Sequence, residues 1–180
     1  MHAAELDLHI EDLSSRQRFG CKGPGAEPWL RGRGFDVPPG ANSARTNPSN
    51  AWVARLATSE FLIEDLGGAD DSVQSAWRAL ASDQPPQGVY PVLRQDFVVG
   101  ISGCGTKALL RQICNVDFEP LFETQSAADG PVVLTSMAGV GVIAWPLRSA
   151  NLCSITLWMD PSFAHYFHST LRGISSDFGR

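Results

Sequence analysis

Two copies of one strand–helix–strand–strand–helix unit, an α+β arrangement, are what this sequence predicts, and three observations carry the prediction. Two glycine turns, Lys22-Gly23-Pro24-Gly25 and Ser102-Gly103-Cys104-Gly105, each follow a short apolar run and precede a helical pattern. They lie 80 residues apart, and at that offset Trp29-Leu30 falls on Leu109-Leu110, Val53 on Val133 and Leu62-Ile63 on Val142-Ile143. The order of elements repeats with the turns. Such a unit is the split βαβ, ferredoxin-like pattern. Each half needs cover for a sheet face, so the two halves are expected to pack as one lobe.

The elements follow in chain order. Residues 5–11, Glu-Leu-Asp-Leu-His-Ile-Glu, alternate strictly and predict an edge strand or extended arm with Leu6, Leu8 and Ile10 on one face. Arg18–Lys22 reads as a short strand and Ala26–Arg33 as a helix, with Pro28 in the first turn, where its missing N–H costs nothing. Residues 36–50 hold three prolines and three asparagines and predict a loop. Ala51–Ala57 and Glu60–Asp65 are strands about a Thr58-Ser59 turn. Asp70–Ala81 is a helix with Val73, Trp77 and Leu80 on one face, and Ser82–Gly88 is a linker.

The second half starts at Val89–Arg94 and the apolar strand Asp96–Ser102. Thr106–Cys114 is a helix with Leu109, Leu110 and Ile113 inward, and 115–130 is an irregular crossover. Pro131–Met137, Val140–Pro146 and Cys153–Met159 are strands. The last helix has Asp160 as N-cap, Pro161 at its first position and Gly173 as its stop, with Phe163, Phe167 and Leu171 on the buried face. The organisation is therefore an acidic N-terminal arm over 1–15, a first half-repeat over 16–84 and a second over 89–174, forming one compact lobe.

Composition narrows the class. An apolar fraction of 43% and a charged fraction of 18% are ordinary for a globular chain. The formal net charge is -5, so nothing suggests nucleic-acid or anionic-membrane binding. Glu5, Asp7, Glu11 and Asp12 carry most of that charge, so the body of the chain is nearly neutral, as suits a subunit held within an assembly. The start shows no basic and apolar leader pattern and no segment approaches a membrane span. Cys21, Cys104, Cys114 and Cys153 form no Cys-x-x-Cys pair, and a reducing cytoplasm fits them.

Candidate chemistry is thin. The glycine turns lack the third glycine of a dinucleotide fingerprint, because Pro28 and Ala108 stand there, and Gly105-Thr106-Lys107 reverses the phosphate-loop order. They read as sharp strand-to-helix corners. His165 and His168 are spaced three apart without a further metal-ligand motif. Asp117 and Glu119 sit close together in the crossover and read as caps or solvated acids rather than a catalytic pair. Cys104, near a helix start, is the cysteine with an activating context. No catalytic, cofactor-binding or metal-ligating residue is assigned.

Four motifs in order carry a family resemblance. They are Arg18-Phe-Gly-Cys-Lys-Gly-Pro-Gly-Ala-Glu-Pro-Trp-Leu30, Val53-Ala-Arg-Leu-Ala-Thr-Ser-Glu-Phe-Leu-Ile-Glu64, Leu109-Leu-Arg-Gln-Ile-Cys-Asn-Val-Asp-Phe118 and Ser162-Phe-Ala-His-Tyr-Phe167. Over about residues 16–173 the chain resembles the sarcosine oxidase gamma subunits, a family related to folate-binding aminomethyltransferases such as the glycine-cleavage T-protein. The resemblance implies an aminomethyltransferase-like lobe. It also implies a small non-catalytic subunit of a bacterial flavin-containing oxidoreductase that demethylates N-methyl amines, either sarcosine oxidase-like or a related complex such as a dimethylamine monooxygenase. Flavin and tetrahydrofolate are then expected in larger partner subunits, with no cofactor in this chain. The alternatives are a stand-alone folate-binding aminomethyltransferase-like protein and a binding module that docks by strand addition through residues 5–11.

Overall fold

The computed structural model describes residues 7–67, 71–124, 129–149 and 152–177. In chain order the elements are β1 (His9–Asp12), β2 (Arg18–Lys22), α1 (Ala26–Gly32), β3 (Ser43–Thr46), β4 (Ala51–Ala57), β5 (Glu60–Asp65) and α2 (Ser72–Leu80). There follow β6 (Tyr90–Val92), β7 (Phe97–Ser102), α3 (Thr106–Ile113), α4 (Glu119–Thr124), β8 (Asp129–Pro131), β9 (Val133–Met137), β10 (Val140–Ser149) and β11 (Leu152–Met159). A 3-10 turn, Pro161–Phe163, leads into α5 (Ala164–Asp177). The fold is α+β, with two antiparallel sheets. No helix among the described residues is long and apolar enough to cross a membrane.

The chain divides into two compact units that do not follow chain order. The first contains residues 15–94 and the β8 segment. Its sheet runs β6-β2-β5-β4-β3-β8. The run β2-α1-β4-β5-α2-β6 is a split βαβ whose four strands take the spatial order fourth, first, third, second. Alternation sets what each face buries. Phe19, Cys21, Val53, Phe61 and Ile63 point to one face, where Leu30 of α1 and Val73, Ala76 and Leu80 of α2 cover them. Phe19 sits at the centre, with ring centroids 6.3–6.5 Å from Trp29, Phe35 and Trp77. Burying a side chain of this size stabilises by about 1.5–3 kcal/mol. Trp52, Ala54 and Leu62 on the other face are buried as well. Also on that face, Arg18 stands opposite Glu64 and donates to its carboxylate at 2.9 Å, with Arg16 at 3.5 Å from the other oxygen. Glu64 is fully buried.

The second unit holds residues 7–14, 95–124, 133–149 and 152–177, with its sheet in the order β1-β7-β11-β10-β9. Val99, Ile101, Ile155 and Leu157 meet Leu109, Leu110 and Ile113 of α3 and Phe167 and Leu171 of α5. The fourth-strand position beside β7 is filled by β1, which is antiparallel in the register His9↔Ser102 to Asp12↔Val99. Leu8 and Ile10 pack on the core from this arm; Leu6 lies outside the described residues. The two units thus place their flanking strands differently. Strand β6 follows β2, β4 and β5 in sequence, whereas β1 precedes the other strands of its unit.

Several elements depart from the sequence reading, each for a physical reason. The 80-residue offset holds for the turns and the helices behind them, because Gly20 and Gly100 occupy the same place in β2 and β7. Beyond them it fails. Leu62 of β5 pairs Gly20, and Thr156 of β11 pairs Gly100, so β5 matches β11 and β4 matches β10. The second half spends α4 and β8 in its crossover before its hairpin begins. The predicted loop 36–50 contains β3, bracketed by Asn42 and Asn50 at φ 57° and 60°. Asparagine tolerates that left-handed region, so the same residues that signalled a loop flank a strand. Helix α5 passes through Gly173 to Asp177, because Ile174 still finds the core. Phe163 is exposed, since it sits in the 3-10 turn, whose tighter winding rotates it off the face of Phe167 and Leu171.

Candidate functional site

The two glycine turns are where the sequence concentrates its unusual residues, and the backbone explains why. In the first, Gly23 takes φ 115° and donates its N–H to Ser59 O at 2.9 Å. Gly25 donates to Gly88 O at 3.0 Å. A Cβ at Gly23 would come within 3.0 Å of the Gly88 carbonyl, and one at Gly25 would meet the Gln87 carbonyl as closely. In the second turn, Gly103 takes φ 121° and Gly105 donates to Asp7 O at 3.0 Å. A Cβ at Gly103 would collide with that same carbonyl. Both turns therefore serve as close-approach seats for a flanking segment, residues 87–90 in one unit and residues 7–8 in the other. The amides a phosphate would need are in part taken by protein carbonyls. Residues 87–88, read from sequence as linker, are part of that seat.

Beside the second turn lies a pocket of about 220 Å³ lined by Gly103, Cys104, Lys107, Arg148 and Cys153. Cys104 is exposed, with Sγ 3.7 Å from the Asp7 carbonyl oxygen, and Cys153 is half-buried. Arg148 stands opposite Cys153 across the β10–β11 ladder. Lys107 donates to Glu119 at 3.0 Å. The other two thiols are buried, and burial pushes Cys21 up to about 12.

The remaining sequence candidates have structural partners. Asp117 accepts the Glu119 N–H at 3.0 Å and so caps the start of α4. Glu119 bridges Lys107 and Arg111, and the Lys107 hydrogen bond, with the charges of both cations, holds its carboxyl below the usual range. Asp160 accepts from Ser162, which likewise lowers its carboxyl. His165 is exposed and His168 half-buried on α5. Among the described residues no three His, Cys, Asp or Glu side chains converge as a metal site would require.

Sequence reasoning missed two groupings. One is an open cleft of about 530 Å³ bounded by Trp29, Gly32, Arg33, Ser72 and Ser75, where the Arg33 guanidinium lies 5.2 Å from the Trp29 ring centroid. The Trp29-x-x-x-Arg33 spacing was its available signal. The other is the meeting of Cys104 with Arg148 and Cys153, which depends on strand register and has no local signature.

No protein-family model and no curated protein sequence matches the chain. Among solved structures, the chain is similar to one from the heterotetrameric sarcosine oxidase of Corynebacterium sp. U-96, in complex with pyrrole 2-carboxylate. The similarity has a TM-score of 0.76 at 20% identity and covers 99% of this chain and 88% of that one. At that identity the likeness establishes the fold, and the α+β, two-sheet architecture of this chain is that of a chain in a sarcosine oxidase heterotetramer.

Proposed function

We propose that this chain is a non-catalytic assembly subunit of a multi-subunit oxidoreductase of the sarcosine oxidase kind, acting on N-methyl amines. The observation that carries the reading is the end-to-end fold match, 99% of the chain, to a member of a heterotetrameric enzyme. The fates of the acids support it: Asp117 and Glu119, the pair best placed for proton transfer in sequence, are committed to a cap and to ion pairs. On this reading the flavin and tetrahydrofolate are held by larger partner subunits in the cytoplasm, and this chain contributes surface to the assembly.

The test is native mass spectrometry of the complex isolated through a tag on this chain, with an absorption spectrum of the same sample. The expected result is a stoichiometric set of larger subunits whose flavin absorbance bleaches anaerobically on addition of an N-methyl amine such as sarcosine. A folded chain that runs alone would overturn the assembly reading. Saturable tetrahydrofolate binding by the isolated chain would instead favour an independent aminomethyltransferase-like protein.

A further inference from the structure

We propose that Cys104 and Cys153 form an oxidisable dithiol that a hydroperoxide closes into a disulfide across the pocket beside the second glycine turn. Three observations lead there. Ser102↔Ser154 is the last pair of the β7–β11 ladder. Cys153 is therefore the next residue outward on β11, opposite the Gly103 position, with Cys104 one residue further along. A disulfide spans Cα separations of about 4.4–6.8 Å, and the end of the ladder brings Cys153 to the turn that carries Cys104, whose Sγ swings from the Asp7 carbonyl to reach it. Both cysteines also line the same pocket of about 220 Å³. Cys104 is exposed and Cys153 half-buried, an arrangement of an attacking thiol in front and a resolving thiol behind.

The thiolate is the species that attacks a peroxide, and Arg148 and Lys107, the latter shared with Glu119, line the same pocket. The Cys104 sulfur attacks one peroxide oxygen, the O–O bond breaks and hydroxide leaves, taking up the proton the thiol released to become water. The product is a sulfenic acid. The Cys153 sulfur then attacks the Cys104 sulfur, the S–O bond breaks and the second hydroxide leaves with the Cys153 proton as water. Two thiols and one hydrogen peroxide become one disulfide and two waters. The bridge ties the second glycine turn, just ahead of α3, to the start of β11. Cys21 and Cys114 take no part: both are buried, and Cys114 Sγ already accepts the Val116 N–H at 3.4 Å.

The experiment oxidises the reduced full chain with hydrogen peroxide, blocks remaining thiols with N-ethylmaleimide and maps tryptic peptides. The expected result is a Cys104–Cys153 linked peptide, reversed by dithiothreitol, with Cys21 and Cys114 alkylated only after unfolding. In Cys153→Ser, Cys104 should accumulate as a dimedone-reactive sulfenic acid. In Cys104→Ser, thiol loss at Cys153 should slow by about tenfold or more. Overoxidation of Cys104 with Cys153 still alkylatable in the parent protein overturns the proposal, as does a bridge that includes Cys21 or Cys114.

Discussion

Gly103→Ala tests whether the second glycine turn exists to seat the N-terminal arm. The substitution meets two separate penalties. Gly103 sits at φ 121°, where an L side chain costs about 1–3 kcal/mol. Its Cβ would also strike the Asp7 carbonyl, so the arm must withdraw. Withdrawal weakens the Gly105 N–H to Asp7 bond, worth about 0.5–1.5 kcal/mol, and loosens the β1 pairing behind it. The sum is about 2–4 kcal/mol. Three other glycines separate the terms. Gly25 has an ordinary φ of -86° but a backbone carbonyl in the way, so Gly25→Ala should cost only the collision, about 1–2 kcal/mol. Gly139 has φ 81° and open space, so Gly139→Ala should cost only the backbone term, about 1–2 kcal/mol. Gly141 has neither, and Gly141→Ala should stay within about 0.5 kcal/mol. Urea denaturation gives the four values, and amide hydrogen exchange over His9–Asp12 reports the arm. If Gly103→Ala costs no more than Gly139→Ala, or leaves the arm's protection at the parent level, the seating argument is wrong.

Three further outcomes are expected. Glu64→Ala removes the fully buried carboxylate to which Arg18, itself 4% exposed, donates; urea midpoints should show a loss of about 3–5 kcal/mol, and a loss under 1 kcal/mol would contradict a buried ion pair at this position. Ala138→Asn should stabilise by about 0.5–1 kcal/mol in the same assay, because Ala138 is held at φ 48° beside Gly139 in the β9–β10 turn, a conformation asparagine adopts more readily. Glu119→Gln should lower the thermal midpoint at neutral pH. Its folded carboxyl titrates below the ordinary range, so its stabilisation is present above the unfolded value of about 4.3 and disappears as pH falls through the folded one. Melting curves of parent and variant should therefore converge on acidification, and a constant gap down to about pH 3 would refute the ion-pair origin.

What was legible in the sequence was local. β4 and β5 fall at their expected bounds, since two short apolar runs about a two-residue turn mark a hairpin locally. The Asp160-Pro161 start is visible for the same reason, because the cap and the residues it caps are neighbours. The α+β class follows from such pieces. The misses share a different origin. Strand β3 becomes a strand by pairing with β4 and β8, not by its own residues, which are framed by prolines and asparagines. The offset that aligned Val53 with Val133 broke because a crossover of different length moves the sheet position without changing the local pattern. At the site, the glycines were visible but their purpose was not. Gly103 and Gly25 are demanded by carbonyls at Asp7 and Gln87, which no short window contains. Cys104 could be singled out, but Cys153 joins it only through the β7–β11 register.

The position of β1 ahead of residues 15–94 has a consequence for synthesis. Emerging from the ribosome, His9–Asp12 comes out before β2 and must wait for β7, whose first residue is Phe97. In that interval the chain delivers β2, α1, β3, β4, β5, α2 and β6 without a break, enough to close a four-stranded split βαβ. Residues 15–94 can therefore form their sheet during translation, while the second unit closes only when it recaptures β1, made ahead of that whole segment. That last closure spans the longest sequence separation among the strand pairings of the fold and is where slow assembly is to be expected. Moving the arm behind α5 by circular permutation would make the second unit continuous in sequence apart from β8, while its β1–β7 pairing would stay long-range.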